Sequence, residues 1–318
     1  MANDKPLVVQ TETLEPAASQ WLAQHALLEV CPFDDPRLGE LLPTASGLVV
    51  RTYTKVDRAL LDKAPLLRVV GRAGVALENI DIPACRARGV EVVHTPEANT
   101  QAVVEFVLCL LLDALRPRVF LDGPLEGKAW HAARAELRGE HQLADLDVGV
   151  LGFGRIGSRV GRVLTALGCT VRYHDVREIP ADQRHGCTPV SLEELQRTSR
   201  ILSIHVDWRE GNHHFVNAGF LERLRPDCIV VNTSRGLAID PAALAAWLRA
   251  KPAARALLDV HDPHEPMDAG YPLLGLPNAH LTPHIAAVTA AAQLNMSWVV
   301  RDVVAVLEGK SPRYRAPG

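Results

Sequence analysis

The sequence predicts an α/β protein built from two doubly wound, parallel-sheet domains, and three observations carry that reading. Short runs rich in β-branched residues alternate with helical stretches along the whole chain, the pattern of buried parallel strands joined by crossover helices. The alternation falls into two series, separated by a long apolar helix. The last helix has no strand after it in its own series, so it is free to return to the first domain and make that domain discontinuous. At 318 residues the chain exceeds one ordinary core and suits two.

In the first series, strands are expected at Leu7–Gln10, Leu28–Phe33, Gly47–Thr52, Arg68–Ala73 and Val90–Thr95, with helices at Pro16–His25, Asp57–Lys63 and Ile82–Arg88. The apolar helix then runs from about Glu97 to Leu115, with Asn99 or Thr100 as its cap. It is apolar nearly all round, so it should be buried. Strands of the second series are expected at Asp147–Phe153, Cys169–Asp175, Cys187–Val190, Ile201–Val206, Cys228–Ser234, Ala256–Val260 and His280–Pro283. Helices should start at Arg155 and lie near Leu192–Thr198, and the final helix should span about Thr289 to Leu307.

Composition excludes several classes. Charged residues make up 22% and the net charge is −3, with no basic block that would serve nucleic acid or an anionic membrane. The longest apolar stretch, Ala102 to Leu112, is broken by Glu105 and is too short for a membrane span. The N-terminus does not read as a signal peptide. Six scattered cysteines form no CxxC pair and no metal-like spacing, so they read as reduced core residues of a cytoplasmic protein, and no metal is expected.

The strand ending at Phe153 carries Gly152, Gly154, Arg155, Ile156 and Gly157 in a GxGxxG arrangement that opens a helix. The motif alone is weak and can be a mere glycine turn. Here it sits between a strand and a helix, and the next strand ends at Asp175, eighteen residues beyond Gly157 and close to the spacing of about 20 expected for a dinucleotide fold. Gly152 permits the tight turn, Gly154 lets a pyrophosphate approach the backbone, and Gly157 lets helix and sheet pack closely. The helix N-terminus then faces the phosphates with free N–H groups. Asp175 would accept from a ribose 2′-hydroxyl and repel a 2′-phosphate, which favours NAD; Arg177, two residues on, keeps NADP open. Both domains are therefore expected to be Rossmann-like.

Three further segments end strands of the second series: Val231-Asn-Thr-Ser-Arg235-Gly236, Leu257-Leu-Asp259-Val260 and Leu281-Thr-Pro-His284, with Glu265-Pro266 in the loop between the last two. A lone histidine at a strand end is usually a capped or solvated side chain, and His205, His213, His214 and His280 are read that way among the thirteen. Arg235 alone would be a surface charge. Their joint placement at the sheet edge where such folds bind ligands favours chemistry. Histidine suits proton transfer near neutral pH, a carboxylate such as Glu265 would orient it and raise its pKa, and a guanidinium can hold a substrate carboxylate.

Together with the glycine fingerprint, these segments resemble the D-2-hydroxyacid dehydrogenase family over nearly the whole chain. Val50-Arg51-Thr-Tyr-Thr-Lys55 and Val70-Gly-Arg72-Ala-Gly74-Val75 look like its phosphoglycerate dehydrogenase branch, in a short form without a regulatory domain. The resemblance implies hydride transfer between NAD and C2 of a small anionic 2-hydroxy or 2-keto acid. Arg235, Glu265 and His284 would be catalytic, and Asp259 would hold the nicotinamide carboxamide. The backbone amides of Gly74, Val75 and Ala76 would receive the substrate carboxylate, and Arg51 and Arg72 a distal anionic group. It further implies a substrate-binding domain of residues 1–98 with 286–318, an NAD-binding domain of 99–285, and a homodimer.

The chain departs from the family pattern in places. The segment from Asp259 to Glu265 is one residue longer than usual, so a forward count points to His264 and a backward count from His284 points to Glu265. Asp262 is a further alternative. Ala76 stands where glycine is usual, which would strain the loop if that position needs φ > 0. The leading substrate is a 3-phosphoglycerate-like acid, and a glyoxylate or hydroxypyruvate reductase is the nearest rival. An NAD-sensing binding protein on the same fold is the alternative of another class; an inactive scaffold fits poorly with the intact polar set.

Overall fold

Every pairing between strands in the computed structural model is parallel, in two separate sheets. The structure describes residues 5–116, 118, 120–263 and 265–317. The chain divides into two compact units, Met1–Thr100 with Ala287–Gly318, and Gln101–Ala286.

In the first unit, β1 (Leu7–Gln10), β2 (Leu27–Val30), β3 (Gly47–Val50), β4 (Val69–Arg72) and β5 (Glu91–His94) form a sheet of order β2-β1-β3-β4-β5. β3 and β4 are buried along their whole length, as expected of central parallel strands covered on both faces. One face is closed by the chain's last helix: Val299, Val300, Val303, Val304 and Leu307 pack with Val8, Val49, Val69 and Val93. The other is filled by Val9, Leu48, Val50, Val70 and Val92 with Leu38, Leu42 and Leu61. A Cβ at Gly71 would collide with the Val303 side chain, so glycine there sets how closely helix and sheet approach.

The second unit holds β6 (Asp147–Leu151), β7 (Thr170–His174), β8 (Thr188–Pro189), β9 (Ile201–Ile204), β10 (Ile229–Asn232), β11 (Arg255–Leu258) and β12 (Ala279–Leu281), in the order β12-β11-β10-β9-β6-β7-β8. Alternation along β10 shows how the sheet is sandwiched. Val230 faces the core with Leu202, Leu258 and Leu244, while Ile229 and Val231 face the one with Ile201, Leu257 and Val148. Strand order reverses between β6 and β9, the switch point where doubly wound sheets open a crevice at the carboxyl ends of their strands.

The final helix, expected as one piece, is two: Ala290–Ser297 and Val300–Leu307. Hydrogen bonds at Val299, Arg301 and Asp302 tighten to the i−3 pattern and interrupt the helix, while its buried stripe continues in phase. The long helix spans Thr100–Leu115. It buries Val104, Val107, Leu111 and Leu115, yet Leu112 is 44% exposed, so the expectation of burial all round is not met within one chain. Among the described residues no helix is long and apolar enough to cross a membrane.

The Gly71 contact gives a stability test. Gly71→Ala should gain about 0.4–1 kcal/mol from a less flexible unfolded chain. It should lose about 1–3 kcal/mol to overpacking against Val303, and the loss should win. Urea unfolding should show the deficit shrinking when the same change is made in a Val303→Ala background.

Candidate active site

The glycine loop follows β6 directly. Gly152 adopts φ +87, a left-handed conformation that glycine takes without strain, and its N–H donates to the carbonyl of His174 at 2.8 Å. Gly157 lies so close to the Gly152 carbonyl that a Cβ would collide with it. Gly154 stands before the helix Arg155–Ala166 and offers no side-chain cap, so the first-turn N–H groups, with Arg155 and Ile156 at their head, are available to an anion. Asp175, just past β7, accepts the Phe153 N–H at 2.6 Å and the Arg177 N–H at 2.8 Å, and pairs with the Arg177 side chain at 3.1 Å. Burial alone would raise its pKa, but these hydrogen bonds hold it below the ordinary carboxylate value, so it is ionised at neutral pH. Its carboxylate thus braces the glycine turn from below. Arg177 is well exposed and can swing aside.

At the end of β10 the buried Asn232 shapes the turn that presents Arg235. Its Oδ1 accepts from the Ser234 N–H at 3.0 Å and the Ser234 hydroxyl at 2.8 Å, and its Nδ2 donates to the Arg235 carbonyl at 2.9 Å. A Cβ at Gly236 would run into the backbone of His261, so glycine lets this turn lie directly on the next loop.

That loop carries the acid and the next carries the base. His284 Nδ1 lies 2.6 Å from Glu265 Oε2, and Glu265 Oε1 accepts the His261 N–H at 2.9 Å. His284 adopts φ +55, a strained region for a side-chain-bearing residue. The hydrogen bond to Glu265 is the main cause that raises the His284 pKa; burial and the nearby Arg235 charge oppose it. Burial would raise the Glu265 carboxyl, but its bonds to His284 and His261 keep it low. The pair therefore favours carboxylate and imidazolium, and Glu265 engages Nδ1 rather than Nε2. Of the alternatives for the carboxylate role, Asp262 turns to His214 Nε2 at 2.9 Å, and His264 lies outside the described residues. His205 is no rival as a proton carrier, because burial pushes its pKa down to about 4.

Asp259 stands at the end of β11. The residue is fully buried, and its carboxylate takes the Thr282 hydroxyl at 2.5 Å, the Ile285 N–H at 2.9 Å and the Ala286 N–H at 2.8 Å. These bonds organise the segment bearing His284. His261, which sequence reasoning passed over, braces the same segment: its Nε2 donates to the Thr282 carbonyl at 2.9 Å.

In the first unit, Arg51 is half-buried and its guanidinium donates to Gln293 Oε1 at 2.5 Å and the Thr13 carbonyl at 3.1 Å. Glu12, also missed, fixes this loop by accepting the N–H groups of Arg51, Thr52, Tyr53 and Thr54. A carboxylate in a nest of successive amides has no signature in sequence beyond one acid after a strand. Arg72 is buried, with its guanidinium over Gly74. The Gly74 N–H donates to the Arg72 carbonyl at 2.8 Å. Val75 and Ala76 are half-exposed, and Ala76 is not among the residues with positive φ, so the alanine brings no strain.

Glu265→Gln should lower the His284 pKa, because it removes the charge that stabilises imidazolium. NMR titration of the His284 ring proton should show its midpoint falling below that of the parent protein. An unchanged midpoint would show that the pair is not coupled.

Comparison with known proteins is consistent with this geometry. The family profile described as D-isomer specific 2-hydroxyacid dehydrogenase, NAD binding domain, matches residues 108–286. A glyoxylate reductase of Aeropyrum pernix is 33% identical over 97% of this chain and 95% of its own length. A D-3-phosphoglycerate dehydrogenase of Archaeoglobus fulgidus is 35% identical over 84% of this chain; the match spans only 50% of that longer protein. The crystal structure of the TT0316 protein from Thermus thermophilus superposes with a TM-score of 0.83 at 31% identity, covering 98% of this chain and 100% of that one.

Proposed function

The chain belongs to the D-isomer specific 2-hydroxyacid dehydrogenase family, NAD-dependent oxidoreductases acting on CH–OH groups, and from that premise we propose that it interconverts a small 2-keto acid and its D-2-hydroxy acid. The observation that carries the reading is the 2.6 Å contact between His284 Nδ1 and Glu265, which leaves Nε2 as the proton donor and acceptor. The uncapped helix start at Gly154 and the ionised Asp175 suit a dinucleotide. Bound NAD supplies the acceptor for the hydride leaving C2, or NADH the donor.

The chain's own residues do the rest. In oxidation, neutral His284 takes the hydroxyl proton on Nε2 as the C2–H bond breaks; in reduction, imidazolium returns it to the carbonyl oxygen. Glu265 orients the ring and favours its charged form. Arg235 holds the carboxylate and polarises the carbonyl oxygen. Arg51 is tied to Gln293 and Thr13, and Arg72 is buried, which supports a substrate without a distal phosphate over a phosphoglycerate-like acid.

We further propose a cytoplasmic homodimer. The cysteines are all free, as a reducing compartment would keep them. The helix Gly127–Glu136 buries no residue in the single chain, and Phe120, Leu121, Leu125 and Trp130 stand exposed. Apolar side chains in such numbers are what a second copy would cover.

Two measurements test these readings. A panel of 2-keto acids followed at the NADH absorbance band, repeated with NADPH, should show turnover of small acids and a preference for NADH. His284→Ala should lose at least ~10²-fold in kcat while still binding NADH, the loss typical of a missing general acid–base. Absence of turnover with every acid would favour an NAD-sensing binding protein instead. Light scattering at micromolar concentration should return twice the 34.6 kDa chain mass.

A further inference from the structure

Beside the proposed catalytic pair lies a second constellation that the reaction does not use. His213 and His214 come from the turn after β9, and Asp262 comes from the loop that leads to Glu265. Each offers one ligand atom, and all three atoms lie within 4.8 Å of one another. His214 Nε2 is already 2.9 Å from Asp262 Oδ2, and the His213 ring stacks on His214 with centroids 4.1 Å apart. We propose that His213, His214 and Asp262 form a binding site for a divalent transition-metal ion of the Zn²⁺ type.

The donor set selects that class. Two imidazole nitrogens and one carboxylate oxygen suit zinc and its first-row neighbours, whereas magnesium and calcium prefer all-oxygen shells. Ligands held about 2.0–2.2 Å from a tetrahedral zinc stand about 3.4 Å apart. His214 and Asp262 are near that separation already. His213 is exposed, so its ring can turn the remaining distance without disturbing the core. The hydrogen bond between His214 and Asp262 occupies the place a cation would take, and binding would displace its proton.

The scaffold under the site is fixed before any ion arrives. His214 adopts φ +48, a left-handed conformation that costs a residue with a side chain and that concentrates at functional positions. It is held there on both sides: the His214 N–H donates to the Leu237 carbonyl at 2.7 Å, and the Val216 N–H to the Ala238 carbonyl at 2.9 Å. On the other arm, Asp262 follows His261, whose N–H holds Glu265. A bound ion would therefore tie the turn after β9 to the loop carrying the catalytic carboxylate. His213 is exposed and His214 and Asp262 are only part-buried, so such an ion would serve as a tether. The cluster is hidden in the sequence because Asp262 lies 48 positions beyond His214.

Calorimetric titration of tag-free protein with Zn²⁺ tests the site. One ion should bind per chain and raise the melting temperature, as any ligand of the folded state does. His213→Gln is the decisive variant, because the residue is exposed and the His214–Asp262 bond survives its loss. It should melt like the parent without metal and bind Zn²⁺ at least about tenfold more weakly, the smallest loss seen even for outer-shell partners of metal ligands. Asp262→Asn should weaken binding similarly, and His284→Gln should leave it unchanged. Absence of Zn²⁺ binding, undiminished binding in His213→Gln, or loss of binding in His284→Gln would each overturn the proposal. The last result would place the ion on the catalytic pair.

Discussion

The carboxylate of Asp259, sealed at the end of β11, is the interaction on which the second unit's polar edge rests. A buried ionised group costs several kcal/mol unless its oxygens are satisfied, and here three donors from one short segment satisfy them. Thr282 is bound on one side of His284, and Ile285 and Ala286 on the other. The histidine between them can then hold φ +55, a conformation that unpinned backbone would relax away. From that fixed point the remaining contacts follow outward. His261 ties the Thr282 carbonyl to the loop of Glu265, Glu265 meets the imidazole, and the Gly236 turn lies against His261. Charge-assisted bonds to backbone N–H groups are well suited to this work, because they lock the main chain itself and not merely a rotamer.

The first unit uses the same device in another place. Glu12 gathers four successive amides of the loop after β3, and its pKa is held down by them against the upward push of burial. In both units, then, an acid just past one strand shapes the loop that leaves another. Parallel strands put all such loops at one edge of a sheet, so one buried carboxylate can reach across to a neighbouring connection.

Much of this was legible in the sequence, and the reasons differ from element to element. Buried parallel strands write themselves as β-branched runs, so β1, β3 and β10 stood out to within a residue or two. The glycine loop was readable because sterics permit few residues there: Gly152 needs positive φ and Gly157 has no room for a Cβ. The carboxylate beside His284 was found by counting back from the histidine. What could not be read were contacts whose partner is backbone. Asp259 and Glu12 choose amides, which every residue has, so nothing in the pattern announces them. The reach of Arg51 to Gln293 spans 242 positions and joins two segments that only the fold brings together. Exposure of the helix Thr100–Leu115 on one side was equally invisible, since apolar composition does not say which of its residues pack inward.

The helix that covers β1, β3, β4 and β5 is supplied by residues 299–307, after the entire second unit has been made. A chain emerging from the ribosome in order has only the helix Pro16–His25, through Ala18 and Leu22, to cover part of that valine face, and the rest stays exposed for most of its synthesis. The middle unit holds all its own strands and helices within residues 101–286 and can close first. The first unit must wait for a segment more than two hundred positions away, a long loop closure that is entropically slow but becomes easier once the intervening chain is compact. Discontinuity therefore sets an order of birth: the unit that begins the chain is the last to be finished.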